Sequence, residues 1–555
     1  MGRSLFNLVV ACCLWEQSYS LGATVDSRQV MVSMRDGVRL KTTAWVPGEG
    51  VYPVVLTRGY SPTGLSGAAP TWNRSGYVFV SQQTRGNGGE DGSRFFPDDL
   101  DGYDCIQWIA DQPWCNGMVA MWGGSYWGIT QWRAAMAQPP ALKAIIPGYT
   151  SAAHRNWVNG YWNRGALHLK MTAQGRVFPS GARYSPSEWK RKLMFLPLID
   201  MDRRFSGREN ILWNEYIKHS SYDDYWKAIA MAEADRYGKI DIPVYIMVGW
   251  RDYYTDSSFA AFSALKRLGL SPDVRIRVDD GGHSGTPDVA ESIRFLDHHL
   301  KGLDTGIQAE PPIKILTRHG RWEQLSAWPP PEVRFTKYYL SSPNGKRTGM
   351  LTKRSPGNES ATQYTYDPHD PVLTLGANGS HIYREVPGLI TDDSVDQRSM
   401  GIRSDVLVFT SAPLSGDTKL TGPIEAQIYA SSSAKDTDFV VRLIDVFPDG
   451  QALNITEGIV RARFRKGHAS PPSLILPGQI YAYTIKLLPM SVVFESGHSI
   501  RVHVTSSCFP LWDRNPNTGH PIGMDAELQV AEQTIYHDHA HPSHIVLPIV
   551  PSTHE

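Results

Sequence analysis

Short apolar runs and helical spacings alternate along residues 51–155. VYPVVLTRGY, GYVFVSQQTRG, the apolar stretch at 118–122 and LKAIIPGYT have the length of buried strands, and DGYDCIQWIADQ that of a helix. Strands alternating with helices predict a parallel sheet covered on both faces. From 155 to 235 aromatic and charged residues recur at helical spacing (NWVNGYWNRG, SEWKRKLMF, DDYWKAIAMAEA) without a convincing strand, which predicts a helical insertion. The first pattern resumes with IDIPVYIMVGW, SSFAAFSALKRLG, DVRIRVDD and VAESIRFLDHHLKG. Beyond about residue 310 short alternating segments such as FVVRLIDVF, IVRARFR, IYAYTIKLL and IRVHVTSS are separated by Pro, Gly and Asn turns, the pattern of an all-β domain of jelly-roll type. Trp328 and the three prolines after it read as a stiff linker.

Composition narrows the class. A chain of 555 residues is too long for one ordinary core. Lys+Arg and Asp+Glu are equal at 55 each, so no global field recruits nucleic acid or anionic lipid, and neither is expected as a partner. Arg3 followed by LFNLVVACCLW, too short to span a bilayer, with small residues at Ser18, Ser20, Gly22 and Ala23, reads as a signal peptide ending near residue 23. Asn73, Asn358, Asn378 and Asn454 each open an Asn-X-Ser/Thr triplet. With the leader they favour a secreted glycoprotein. Cleavage leaves Cys105, Cys115 and Cys508; an oxidising compartment could join the first two, and two free thiols are the alternative. The pair His298-His299 and the histidines of 537–544 invite a metal, but no His pair at helical spacing with an intervening glutamate occurs, so no metal or other cofactor is expected.

The stretch MWGGSYWGITQW carries the chemistry. An apolar run, two glycines, Ser125 and then a helical spacing of Ile129, Trp132, Ala135 and Met136 make a strand–turn–helix corner with an outward serine. This is a nucleophile elbow, although the strict G-x-S-x-G pattern fails because Trp127 precedes Gly128. A serine hydroxyl attacks only when an imidazole takes its proton, and the imidazole needs a carboxylate on its other nitrogen. Both groups follow in the required order at later strand ends, Asp252 after VYIMVGW and His283 after VRIRVDD. Taken singly, Asp252 also reads as a helix cap, His283 as a turn residue, and Asp256, Asp279 and Asp280 as rival carboxylates.

On PVVLTRGYSP, the TRG at 84–86, WCNGMVAMWGGSYWG, the GWRD at 249–252, FLDHHLKG, DTDFVVRLIDVFPDG, EGIVRARFR, DRNPNTG and HPSHIVLP, the chain resembles the cocaine-esterase and X-prolyl dipeptidyl-peptidase group of serine hydrolases. That group includes α-amino-acid ester hydrolases and glutaryl acylases; this chain looks most like the bacterial cocaine esterases. The resemblance implies an α/β-hydrolase fold at 24–154 and 236–310, a helical cap at 155–235 and a β domain at 311–555. It implies Ser125, Asp252 and His283 as the triad, and an oxyanion hole made by the Tyr60 hydroxyl and the Tyr126 amide. Two departures stand out. Similar sequences carry Gly-Pro-Trp beside the histidine, where this chain has Asp279-Asp280-Gly281-Gly282, and an aspartate where it has Gln83. The expected activity is cleavage of a small ester, or less readily an amide. The rivals are an X-Pro dipeptidyl-peptidase, an α-amino-acid ester hydrolase or acylase, and a glycan-binding protein with an idle hydrolase module.

Overall fold

The computed structural model describes residues 27–85, 99–150, 157–158, 161–162, 184–229, 234–283, 286–376, 395–467 and 470–551. The expected signal peptide, Asn378 and much of the expected cap lie outside the described residues.

Ten strands form one sheet: β1 (Ser27–Ser33), β2 (Arg39–Trp45), β3 (Tyr52–Gly59), β4 (Val78–Gln83), β5 (Cys115–Gly124), β6 (Leu142–Gly148), β7 (Val244–Gly249), β8 (Val274–Asp279), β9 (Ile313–Leu316) and β10 (Trp322–Leu325). Their order is β1-β2-β4-β3-β5-β6-β7-β8-β9-β10. From β4 to β9 every pairing is parallel. Alternate residues of each inner strand face opposite cores, as a sheet buried on both sides requires. Val54, Leu56 and Met121 pack with Ile106, Ile129 and Phe262 of the helices Asp99–Ala110, Tyr126–Met136 and Thr255–Leu268. Val55, Ala120 and Trp122 pack with Trp72 and with Phe295 and Leu300 of the helix Val289–Lys301.

The sheet runs past the expected boundary at residue 310. Ile313–Leu316 pairs in parallel with β8, and Trp322–Leu325 closes the edge as a hairpin. The last helix does not end the domain, because one more parallel strand and a tight turn follow it. The Trp328 segment is pinned down, since its indole stacks on Phe259 at a ring separation of 4.0 Å and lies 5.9 Å from Trp250.

Among the described residues the C-terminal part is an antiparallel β-sandwich of eleven strands, with one parallel strand pairing, between Thr348–Thr352 and Leu407–Thr410. Within the first domain's sequence lies the insertion, where helices such as Pro186–Leu193 and Ile211–Lys218 are accompanied by a small hairpin, Trp157–Val158 with Tyr161–Trp162, that helical periodicity does not foretell. The tryptophans of its helices meet the sandwich. Trp189, Trp213, Tyr216 and Trp226 share one apolar core with Val440, Ile459, Phe464, Phe509 and Leu511. Arg514 donates to the Met194 carbonyl and Ile199 N–H to the Gly523 carbonyl across the same seam.

Cys105, Cys115 and Cys508 are all free thiols. No helix among the described residues is long and apolar enough to cross a membrane.

Candidate active site

Ser125 stands between the end of β5 and the helix Tyr126–Met136, with φ 55° and ψ −124°. A residue with a Cβ at positive φ is strained by about 1–3 kcal/mol. The surroundings hold it there: Ser125 N–H donates to the Gly148 carbonyl (2.9 Å), and its own carbonyl accepts from Gly128 N–H (3.0 Å) and Ile129 N–H (3.1 Å). The late glycine has a packing reason. A Cβ on Gly128 would lie 2.5 Å from Thr150 Cγ2 and 3.1 Å from the Gly148 carbonyl, so only glycine lets this helix sit against the end of β6.

Two loops bring the partners. His283 Nε2 is 2.9 Å from Ser125 Oγ, and His283 Nδ1 is 3.0 Å from Asp252 Oδ2. With Nδ1 protonated, the ring donates to Asp252 and accepts from the serine hydroxyl. Asp252 is completely buried, and its Oδ1 accepts from Tyr254 N–H (2.9 Å), which fixes the carboxylate's rotation. Tyr253 stacks on the imidazole at 4.9 Å and 25°. The rival carboxylates are placed elsewhere: Asp256 is exposed on the following helix, Asp279 accepts from Tyr149 Oη (2.7 Å), and Asp280 Oδ1 lies 3.1 Å from Arg318 Nε.

Tyr60 follows β3. Its ring stacks on Tyr126 at 4.3 Å and 18°, with Trp127 edge-on at 5.3 Å and 81°. Burial holds the Tyr126 hydroxyl above its ordinary pKa, and that hydroxyl lies 3.3 Å from Thr84 Oγ1. Tyr126 N–H belongs to the first residue of the helix, where amides point along the positive end of the helix dipole. Gln83 directs Nε2 at the Tyr60 carbonyl (3.5 Å). The neighbouring Arg85 pairs with Asp101 and with Asp36. Sequence reasoning missed Tyr253, Thr84 and Trp127 in these supporting roles, because an aromatic or a hydroxyl near a motif carries no signal of what it will touch.

Other expectations resolve differently. Asn73 and Asn454 are buried, and the Nδ2 that a glycan would occupy already donates, from Asn73 to the Trp45 and Tyr77 carbonyls and from Asn454 to the Gly376 carbonyl. These are structural amides, which corrects the reading of both as glycosylation sites; a triplet motif is blind to burial. Asn358 is exposed. His299 bonds Asp273 (3.0 Å), and His537 sits between Thr362 (2.9 Å) and Glu359 (3.2 Å), so both are engaged with protein groups. Among the described residues one group, His520, Asp525 and Glu527, brings ligand atoms within 4.8 Å of one another. It is a surface loop of the sandwich that the sequence reading did not single out.

A hydroxyl, an imidazole and a buried carboxylate in sequence on an α/β sheet are the equipment of a serine hydrolase, and that is the class of this protein. The description of the X-Pro dipeptidyl-peptidase (S15 family) matches residues 36–285, and that of the X-Pro dipeptidyl-peptidase C-terminal non-catalytic domain matches residues 305–546. Cocaine esterase of a Rhodococcus species is 33% identical, over 94% of this chain and 98% of that protein. An aminopeptidase from a marine-sediment Thaumarchaeota archaeon superposes with a TM-score of 0.80 at 25% identity, covering 97% of this chain and 98% of the other. An α-amino acid ester hydrolase shares the fold, with a TM-score of 0.80 at 24% identity over 96% and 98% of the two chains. The chain therefore belongs to the family that joins the S15 X-Pro dipeptidyl-peptidases and the cocaine esterases.

Proposed function

We propose that the protein is a secreted carboxylic-ester hydrolase working through an acyl-enzyme. Ser125 Oγ attacks the substrate carbonyl carbon while His283 Nε2 takes the hydroxyl proton, and Asp252 orients the ring and stabilises the imidazolium. The developing oxyanion receives hydrogen bonds from Tyr60 Oη and Tyr126 N–H. Collapse expels the alcohol, which takes the proton from His283, and a water activated by the same imidazole then releases the acid and restores Ser125.

The observation that carries this reading is the continuous contact Ser125–His283–Asp252, at 2.9 and 3.0 Å. An ester is favoured over an X-Pro peptide by the extent of the match to cocaine esterase, which runs through both domains. The rings of Tyr60, Trp127 and Tyr253 beside the serine and histidine suit a bulky apolar or aromatic acyl group. Export rests on the leader at 1–23 alone.

The test is a panel of aryl and alkyl esters set beside an X-Pro-anilide, with Ser125→Ala as blank and fluorophosphonate labelling as a second readout. Ester turnover and labelling that both vanish in Ser125→Ala are expected. Labelling retained in that variant overturns the nucleophile assignment, and preferential cleavage of the anilide makes the enzyme a dipeptidyl-peptidase.

A further inference from the structure

The loop that carries His283 begins with two aspartates and two glycines, and a pair of successive glycines has little conformational preference of its own. Its position must come from what it touches. Asp279, the last residue of β8, is the centre of those contacts. Its carbonyl accepts from Trp250 N–H (2.8 Å), its Oδ1 from Gly281 N–H (2.8 Å) and its Oδ2 from Tyr149 Oη (2.7 Å). The next two residues are held on the acid loop. Gly281 carbonyl accepts from Arg251 N–H (3.0 Å), and Asp280 carbonyl from Arg251 Nε (2.9 Å) and Nη2 (2.7 Å). The loops are in such close contact that a Cβ on Gly249 would run into the Gly281 carbonyl.

Tyr149 links this cluster to the nucleophile. It follows Gly148, whose carbonyl holds Ser125 N–H (2.9 Å), and its own N–H donates to the Met247 carbonyl (2.7 Å). Tyr149 is buried and sits at φ 45°, a conformation that a tyrosine keeps only when its surroundings impose it. One side chain thus spans from the residue that anchors the elbow to the carboxylate that opens the histidine loop. Arg277 Nη1, 3.6 Å from Asp279 Oδ2, supplies a counter-charge.

We propose that Tyr149 and Asp279 form a positioning pair that sets the reach of His283 to Ser125. The inference rests on the proposed roles of those two residues. Neither member touches substrate; both act through the imidazole. A misplacement on the order of 1 Å at a reacting group costs up to about 100-fold.

The experiment compares Tyr149→Phe, Asp279→Ala, Asp279→Asn and the double variant Tyr149→Phe/Asp279→Ala with the wild-type chain. It reads kcat and KM on an aryl ester per labelled site, the rate of fluorophosphonate labelling, and the thermal midpoint. Tyr149→Phe removes one hydroxyl and nothing else. It is expected to lower kcat and the labelling rate by the same factor, about 10- to 100-fold, with KM within about twofold. Asp279→Asn still accepts from Gly281 N–H and is expected to keep more activity than Asp279→Ala. The double variant is expected to be no worse than the poorer single one, because Asp279→Ala already removes the contact that Tyr149→Phe removes. Wild-type kcat and labelling rate in Tyr149→Phe overturn the proposal, as do losses that multiply in the double variant or a fall in thermal midpoint with kcat per labelled site unchanged. A wild-type enzyme that fluorophosphonate does not label sinks the nucleophile assignment itself, which separates the two failures.

Discussion

His503 offers the sharpest test of the sandwich energetics. It lies mid-strand in Ser499–Thr505, between Val408 and Arg442 of the neighbouring strands, and is almost fully buried. Among the described residues neither ring nitrogen has a hydrogen-bond partner. Burial above all, and then the guanidiniums of Arg442, Arg501 and Arg347, push its pKa down to about 3 from 6.5. The sign follows from linkage. Between those two values the unfolded chain holds a proton that the folded chain refuses, so stability rises with pH across the window and is complete above 6.5. Each pH unit carries about 1.4 kcal/mol, so acidification from 6.5 to 4 removes about 3 kcal/mol through this residue alone. Against a total stability of about 5–15 kcal/mol for an ordinary domain, that is a large share. His503→Leu keeps roughly the volume and abolishes the titration. Urea unfolding of both proteins at several pH values from 7.5 to 4 isolates the term as a difference, because every other group is common to both. The variant is expected to be at least as stable at pH 7.5, since it no longer buries two unpaired nitrogens, and to gain on the wild type steadily below 6.5. Two stability curves that stay parallel across the window would refute the reasoning.

Three further outcomes follow from the geometry. Tyr60→Phe is expected to cost about 2.7–4 kcal/mol in kcat, the loss for one oxyanion donor, and an unchanged rate would mean that another group fills the hole. Gly128→Ala sets a methyl 2.5 Å from Thr150 Cγ2 and is expected to lose about 1–3 kcal/mol of stability together with activity, whereas Gly416→Ala, with nothing near its Cβ, is expected to change neither; calorimetry and ester turnover check both. A thiol reagent on the native protein is expected to reach the half-buried Cys115 and to spare Cys105, whose thiol burial pushes up to about 12, and the buried Cys508, until denaturant is added; peptide mapping reads which residue is labelled.

The parallel sheet was legible because its signal is local: each strand is a short apolar run, and both faces of it are buried. The boundary at residue 310 was not, because Ile313–Leu316 looks like any other alternating strand and only its pairing with β8 assigns it to the first domain. The partner of the insertion was hidden for a similar reason. The spacing of Trp189, Trp213 and Trp226 says that one face must be covered, but a period says nothing about which surface covers it, and here it is Phe509, Leu511 and their neighbours some 300 residues away. Hence the insertion and the sandwich share a core that neither sequence segment announces.

For the site, chain order sufficed to nominate Ser125, Asp252 and His283, since each need only follow a strand. Chain order alone left Asp256, Asp279 and Asp280 as rivals to Asp252, because a carboxylate qualifies by what it faces. Asp252 faces the imidazole from full burial; Asp279 and Asp280, closer to His283 in the chain, turn to Tyr149 and Arg318. The φ of 45° at Tyr149 and the close approach of Gly249 to the Gly281 carbonyl are likewise invisible as letters, yet they decide how tightly the acid and histidine loops can be drawn together. Beside His283 the chain relies on a carboxylate held on three sides, by Gly281, Tyr149 and Arg277. A loop stiffened by hydrogen bonds depends on each donor remaining in place, so that corner is where a single hydroxyl, on a residue that never meets the substrate, can govern the rate.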